Sequence, residues 1–201
     1  EAERGDYVLG LGEIDERKGL DRAIRAIATI DEDRRPRLVW VGNRGVASYQ
    51  SYSEALADSL GVTFEPKILV SDAELRALLS GAIAMIYTSR LEPFGLAPLE
   101  AGACSLPVVA IAEGGVRETV FDRVNGLLSP HDDPVLIGSL ISELVSDPSL
   151  AQSLGKRGRE LVLERWDWDR SVSELETHLH KVIKQTMREN IQPIESPPFI
   201  K

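Results

Sequence analysis

Ser89 to Glu118, SRLEPFGLAPLEAGACSLPVVAIAEGGVRE, is the stretch on which the fold turns. It opens where an apolar strand, Ala82 to Tyr87, ends, and in a short span it sets a carboxylate, a Phe-Gly turn, a helix start and a second carboxylate. That is the make-up of a site rather than of a core. Pro93 and Gly95 mark the turn, and Leu96, Leu99, Ala101 and Ala103 predict a helix beginning near Gly95. Pro98 has no N–H to give and fits only in a first helical turn, so the boundary is confined to a residue or two. The helix N-terminus then points beyond the end of the strand. Its unpaired amides, beside a glycine that lets a ligand approach the backbone, suit a phosphate. Glu92 lies just before this end and Glu100 about one turn inside it.

Outward from here the chain alternates. Tyr7 to Gly12 (YVLGLG) predicts a buried strand, and Gly19 to Ile30 a helix with apolar residues at 20, 23, 24, 27 and 30. Strands are predicted again at Arg37 to Gly42, Val62 to Leu69, Ala82 to Tyr87, Pro107 to Ala112 and Gly126 to Leu128. Helices fall at Tyr49 to Leu60, at Asp72 to Leu79 with Asp72 at or near the N-cap, and briefly from Gly115. Such alternation predicts an α/β fold: a Rossmann-like doubly wound parallel sheet of about six strands with helices on both faces. Ligands of such sheets sit beyond the carboxyl ends of the strands, where Gly12, Gly42 and Glu92 fall. After residue 130 only helices are expected, at 134–146, 149–164 and 171–189, covering the edge of the sheet. Trp166 and Trp168 would anchor the last of them, whose mixed charges read as a solvated face. One domain is expected over residues 1–190, with 191–201, which holds three prolines and no periodicity, as an extended or disordered tail.

Composition narrows the partners. A net charge of −9 and a pI near 4.9 argue against nucleic acid, whose affinity rests on clustered Lys and Arg. Any anion must be held by a local site. The single cysteine excludes an internal disulfide and fits a reducing, cytoplasmic setting. Neither a spanning apolar run nor a secretion signal is encoded. The opening, Glu1 to Asp6, runs straight into a strand, as expected of a domain cut from a longer chain. Clustered metal ligands are not visible, so no metal or other cofactor is expected. Cys104 reads as a small buried residue, and His131, His178 and His180 as surface or capping residues.

Glu92-Pro-Phe-Gly-Leu-Ala-Pro-Leu-Glu100, two glutamates with seven residues between them, resembles the glutamate-pair signature of retaining sugar-nucleotide glycosyltransferases of the GT-B fold, family 4. Pro107 to Ala110, Gly114 to Glu118 and Asn125 to Leu128 resemble further blocks of that family, in the same order and spacing. The resemblance covers about residues 7–170 and implies the C-terminal, donor-binding half of such an enzyme, with the acceptor held by an absent N-terminal domain. It implies metal-independent transfer of a sugar from a nucleotide diphosphate (UDP or GDP sugar), in polysaccharide or glycoconjugate biosynthesis. By the same resemblance, Phe94, Gly95 and Leu96 would donate backbone amides to the distal phosphate or the sugar hydroxyls. Glu100 would accept from the ribose hydroxyls and Glu92 would hold the transferred sugar. Lys18 would neutralise the diphosphate as the sugar leaves. Gly12, Glu13, Gly42 and Arg44 complete the expected donor site. The enzyme is expected in the cytoplasm, with any contact to the inner face of a membrane made through the missing domain.

One departure from the family pattern matters most. Where the family usually has Gly-Arg, five residues before the lysine, this chain has Gly12-Glu13, so an anion replaces the second phosphate-binding cation. A unit charge at about 4 Å is worth roughly 1 kcal/mol in water and about 4 at a partly buried site. Arg17 or Arg44 could compensate by reaching inward. Otherwise Glu13 marks a different donor or a degenerate site, which leaves a non-catalytic nucleotide-binding module as an alternative. A sugar-nucleotide epimerase is another, although no second set of acid and base residues stands near the glutamate pair. Gly102 and Ser105, where the family tends to have Met and Gly, fall at packing positions.

Overall fold

The structure is a computed structural model, and it describes residues 5–189, with nothing of the side chains of 187–189; the tail expected over 191–201 lies outside these residues. Six strands form one sheet: β1 (Tyr7–Leu11), β2 (Arg37–Gly42), β3 (Phe64–Ile68), β4 (Met85–Tyr87), β5 (Val108–Ile111) and β6 (Gly126–Ser129). Every pairing is parallel and the order is β3-β2-β1-β4-β5-β6. The chain thus winds outward one way from β1 to β3, crosses back and winds the other way from β4. The crevice of such a sheet opens where the order reverses, between the carboxyl ends of β1 and β4.

Strands buried on both faces explain why these segments read as continuous apolar runs. Val8, Trp40, Val109 and Ile111 face a core shared with Leu20, Ile24 and Ile27 of α1 (Leu20–Ala28), Ala57 of α2 (Ala47–Ser59) and Ile137 and Ile141 of α6 (Pro134–Ser146). Their neighbours in sequence, Leu9, Val39, Val41, Val108 and Ala110, face the other layer. There they meet Leu79 of α3 (Asp72–Gly81), Ala101 of α4 (Leu96–Ala103) and Val116 of α5 (Val116–Thr119). Trp40 is the largest fully buried side chain. It lies against Gly10, where an added Cβ would come within 2.1 Å of its ring, and its Nε1 donates to the Gly12 carbonyl at 2.9 Å.

Most boundaries follow the sequence reading to within two residues; the exceptions are β4, which starts at Met85 rather than Ala82, and the last helix, which starts at Trp168 rather than residue 171. The helix expected with Asp72 at or near its N-cap starts at Asp72, and Ser71 caps it by accepting from the Glu74 amide at 3.2 Å. Gly102 of α4 faces Gly158 of α7 (Pro148–Arg165), and a Cβ on Gly102 would meet Val162 at 3.0 Å, so the small residue there permits close helix crossing. Ser105 takes a left-handed turn, with φ of 56°.

The sheet and its helices form one compact unit ending at Val162, and a second begins at Leu163. The second unit holds α8 (Trp168–Glu189), which does not carry a purely solvated face. Trp168, Val172, Leu175, Leu179 and Val182 repeat at alternating spacings of four and three along it, and all are exposed. Trp168 is 78% exposed, so among the described residues it is not buried as the expected anchor would be. The reading missed this row because the charges between its members mask it.

Candidate active site

The crevice between β1 and β4 holds a cavity of about 490 Å³. Nine of the ten residues expected from the sequence line it: Gly12, Glu13, Lys18, Gly42, Glu92, Phe94, Gly95, Leu96 and Glu100. Arg44 does not. It lines a neighbouring cavity of about 320 Å³, which shares Glu13 with the first.

Lys18 arrives on a single 3-10 turn after β1 (Glu16–Lys18), capped by Asp15, whose carboxylate accepts from the Lys18 amide at 3.1 Å. The turn closes on Gly19 at φ 73°, and an added Cβ there would come within 2.5 Å of the Thr88 carbonyl oxygen. Only glycine allows both the left-handed backbone and this approach. Thr88 in turn donates its hydroxyl to the Gly19 carbonyl at 2.7 Å, so the ends of β1 and β4 are tied together. The outcome is a contact across the crevice: Lys18 Nζ lies 2.8 Å from Glu92 Oε2, with both side chains less than a third exposed.

Glu92 also accepts from the Ser89 hydroxyl at 2.8 Å. Burial pushes its pKa up, but the bonds from Lys18 and Ser89 outweigh burial and hold the carboxyl below the ordinary glutamate range. It therefore stays an anion and a hydrogen-bond acceptor at neutral pH. Tyr87, at the end of β4, is driven the other way, first by burial and then by the Glu92 charge, so its hydroxyl keeps its proton. Tyr87 and Ser89 are site residues the sequence reading did not single out; their position at the carboxyl end of a strand was the available signal.

Gly95 caps α4 with φ of 91° and no side-chain capping bond. The amides of Leu96 and Ala97, at the first two helical positions, have no partner within the helix, and Pro98 offers none. Glu100 stands on the exposed side of α4, yet its carboxyl is desolvated enough by its surroundings to raise its pKa above 4.5. Folding thus penalises the charged form of Glu100, and its contribution to stability is favourable only at low pH. Glu100→Gln is therefore expected to raise Tm slightly at pH 7, measured by thermal unfolding, and the gain should shrink as pH falls through the Glu100 titration.

Gly114 and Gly115 hold the Glu92 turn from below. The Gly115 amide donates to the Glu92 carbonyl at 2.9 Å, and a Cβ on Gly115 would stand 2.3 Å from the Pro93 oxygen and 2.4 Å from the Phe94 Cα. These are backbone atoms and cannot swing aside. Gly115→Ala is expected to cost about 1–3 kcal/mol, as overpacking does, and to displace Glu92 from Lys18. Urea unfolding beside a nucleotide titration checks both effects. Behind the turn, Arg90 pairs with Glu113 at 2.7 Å and with Asp132 at 3.3 Å, and Asp132 also pairs with Arg22 of α1 at 3.1 Å. The loops after β4, β5 and β6 are thereby linked.

This geometry offers one cation, amides at a helix start and carboxylates able to accept from hydroxyl groups, which together suit a phosphorylated polyol. A family model described as glycosyl transferases group 1 matches residues 1–161. The D-inositol 3-phosphate glycosyltransferase of Salinispora arenicola is 36% identical over 183 residues, covering 86% of this chain and 40% of that protein. Sucrose-phosphate synthase from Thermosynechococcus elongatus has a similar structure, with a TM-score of 0.76 at 31% identity over 90% of this chain and 46% of its own. Anabaena Alr3699/HepE, solved in complex with UDP-glucose, has a TM-score of 0.76 at 23% identity over 88% of this chain and 49% of its own, a likeness of fold alone. The chain spans less than half the length of each of these proteins.

Proposed function

The chain belongs to the glycosyl transferases group 1 family, and we propose that it is the donor-binding half of a retaining glycosyltransferase that takes its sugar from a nucleotide diphosphate. The observation that carries this reading is the Lys18–Glu92 contact of 2.8 Å across the β1–β4 crevice, at the start of α4. It sets a cation for a diphosphate beside an acceptor for sugar hydroxyls. The UDP-glucose in the Anabaena structure of similar fold is a ligand of the same class.

In this reading the backbone at Phe94, Gly95 and Leu96 receives the distal phosphate or the sugar, and Glu100 accepts from the ribose hydroxyls. Glu92 accepts from the transferred sugar. Lys18 shifts from Glu92 toward the bridging oxygen as the bond to the sugar breaks, and it stabilises the charge left on the diphosphate. Gly12 and Gly42 line the cavity, and a Cβ on Gly42 would come within 2.6 Å of the Gly12 carbonyl oxygen, so glycine there lets the two strand ends stay close. No metal is needed for these roles. The acceptor binds to the part of the protein that lies outside these residues, in the cytoplasm or at the inner face of a membrane. No helix of the described residues is long and apolar enough to cross one.

Calorimetric titration of the chain with UDP, GDP and ADP tests the proposal. One nucleotide is expected to bind, weakly, and Glu100→Ala to abolish that binding. Binding should also weaken as pH falls through the Glu100 titration, since the protonated carboxyl loses acceptor capacity. No binding by any nucleotide would overturn the reading. The chain alone is expected to transfer no sugar, and turnover of a nucleotide sugar by it would show that the site is complete without the rest.

A further inference from the structure

Glu13 stands where a second phosphate-binding cation was expected, and it lies on the wall shared by the two cavities. Its carboxylate is not bare. Arg44 Nε lies 3.1 Å from Oε1 and Arg44 Nη2 3.2 Å from Oε2, so the guanidinium grips both oxygens. The backbone explains the pairing. Beyond the ends of β1 and β2 the two loops stay zipped together: Ile14 N donates to the Arg44 carbonyl at 3.0 Å and Val46 N to the Ile14 carbonyl at 3.0 Å. Ile14 and Gly45 form a parallel bridge. Positions 13 and 44 are therefore neighbours across the extended β1–β2 pairing.

Arg17 also comes within 3.5 Å of Glu13, but its guanidinium is already held by Asp15, at 2.6 Å from Nη2 and 3.1 Å from Nε. Lys18 is held by Glu92. Arg44 and Arg17 are both 76% exposed in their side chains, but Arg17 is paired with the more buried carboxylate, Asp15 at 14% against 33% for Glu13, so the Arg44 pair is the readier of the two to exchange partners.

We propose that Arg44, presented by Glu13 at the rim of the crevice, supplies the second positive charge for the substrate's diphosphate, so that Glu13 is a positioning residue and not the mark of a decayed site. This rests on the nucleotide-sugar reading above. The cation absent at position 13 returns from position 44, one strand over. A bound diphosphate shares the guanidinium with Glu13, whose own charge Arg44 continues to screen.

A double-mutant cycle tests it. Whichever of UDP, GDP and ADP binds is titrated, with its monophosphate and its nucleoside, against the unmodified chain, Arg44→Ala, Glu13→Gln and the double variant. Arg44→Ala is expected to weaken the diphosphate about tenfold, the monophosphate less and the nucleoside not at all. Glu13→Gln is expected to leave the diphosphate unchanged or weaken it in the unmodified background. In the Arg44→Ala background it should strengthen it, because there it removes an unscreened carboxylate. A merely repulsive Glu13 would instead give the same gain in both backgrounds, and that result overturns the proposal, as does unchanged diphosphate affinity in Arg44→Ala. Loss of nucleoside binding in step with the diphosphate would also overturn it, by showing a general distortion. If the unmodified chain binds no nucleotide, both this inference and the nucleotide-sugar reading fail; if it binds and Arg44→Ala changes nothing, this inference fails alone.

Discussion

Lys18→Ala is expected to weaken binding of the nucleoside diphosphate by about 10- to 100-fold while leaving the nucleoside itself unaffected. A charge about 4 Å from a phosphate at a partly buried site is worth roughly 4 kcal/mol, and part of that is spent in drawing Lys18 away from Glu92. About 1.4–2.7 kcal/mol is left, which gives the stated range. Calorimetry with a nucleoside and its diphosphate separates the two contributions. Equal affinities of the variant and the unmodified chain for the diphosphate would remove Lys18 from the site.

The same substitution has a signature in pH. The Glu92 pKa is depressed in the folded chain, so its contribution to stability is present above its unfolded value and lost as pH falls through the folded one. Without Lys18, burial acts on Glu92 against the hydrogen bonds from Ser89 and Tyr87 only, and its pKa should rise. Unfolding followed from pH 7 downward should then show a smaller acid-dependent loss in the variant than in the unmodified chain. A variant whose stability keeps the full pH dependence would show that Ser89 and Tyr87, not Lys18, hold the carboxylate.

Trp40→Ala is expected to cost about 3–5 kcal/mol of stability, within the range for removing a large buried aromatic. Against a typical total of about 5–15 kcal/mol this is severe, and it should lower Tm by roughly 10 °C. The loss has two parts. The cavity left by the indole cannot close, because it lies between Gly10 on β1 and the helices of that layer. The Gly12 carbonyl also loses its 2.9 Å donor. Trp40→Phe separates them, since it fills most of the volume and lacks the N–H; it should cost less and still loosen the loop that carries Glu13. Urea denaturation of both variants, with nucleotide affinity measured on Trp40→Phe, checks this. Equal stability of Trp40→Phe and the unmodified chain would show that the hydrogen bond adds nothing.

Much of this molecule was legible in the sequence. Apolar runs at strand length, helical spacing at 20, 23, 24 and 27, and Pro98 confined to a first turn are local signals, and the elements they predict are the ones observed. The glutamate pair was legible for the same reason, because Glu92, Gly95 and Glu100 belong to one turn and one helix. What tertiary structure alone decided are contacts between segments distant in the chain. Lys18 and Glu92 are 74 positions apart and meet only because β1 lies beside β4. Glu13 and Arg44 meet because β1 also lies beside β2, and that contact sets a cation against the anion at position 13. Gly114 and Gly115 looked like a turn, and only the approach of the Glu92 backbone above them shows why a side chain is excluded. Local periodicity records which element each residue enters; strand order determines which loops become neighbours, and a site at a switch point is made of such neighbours.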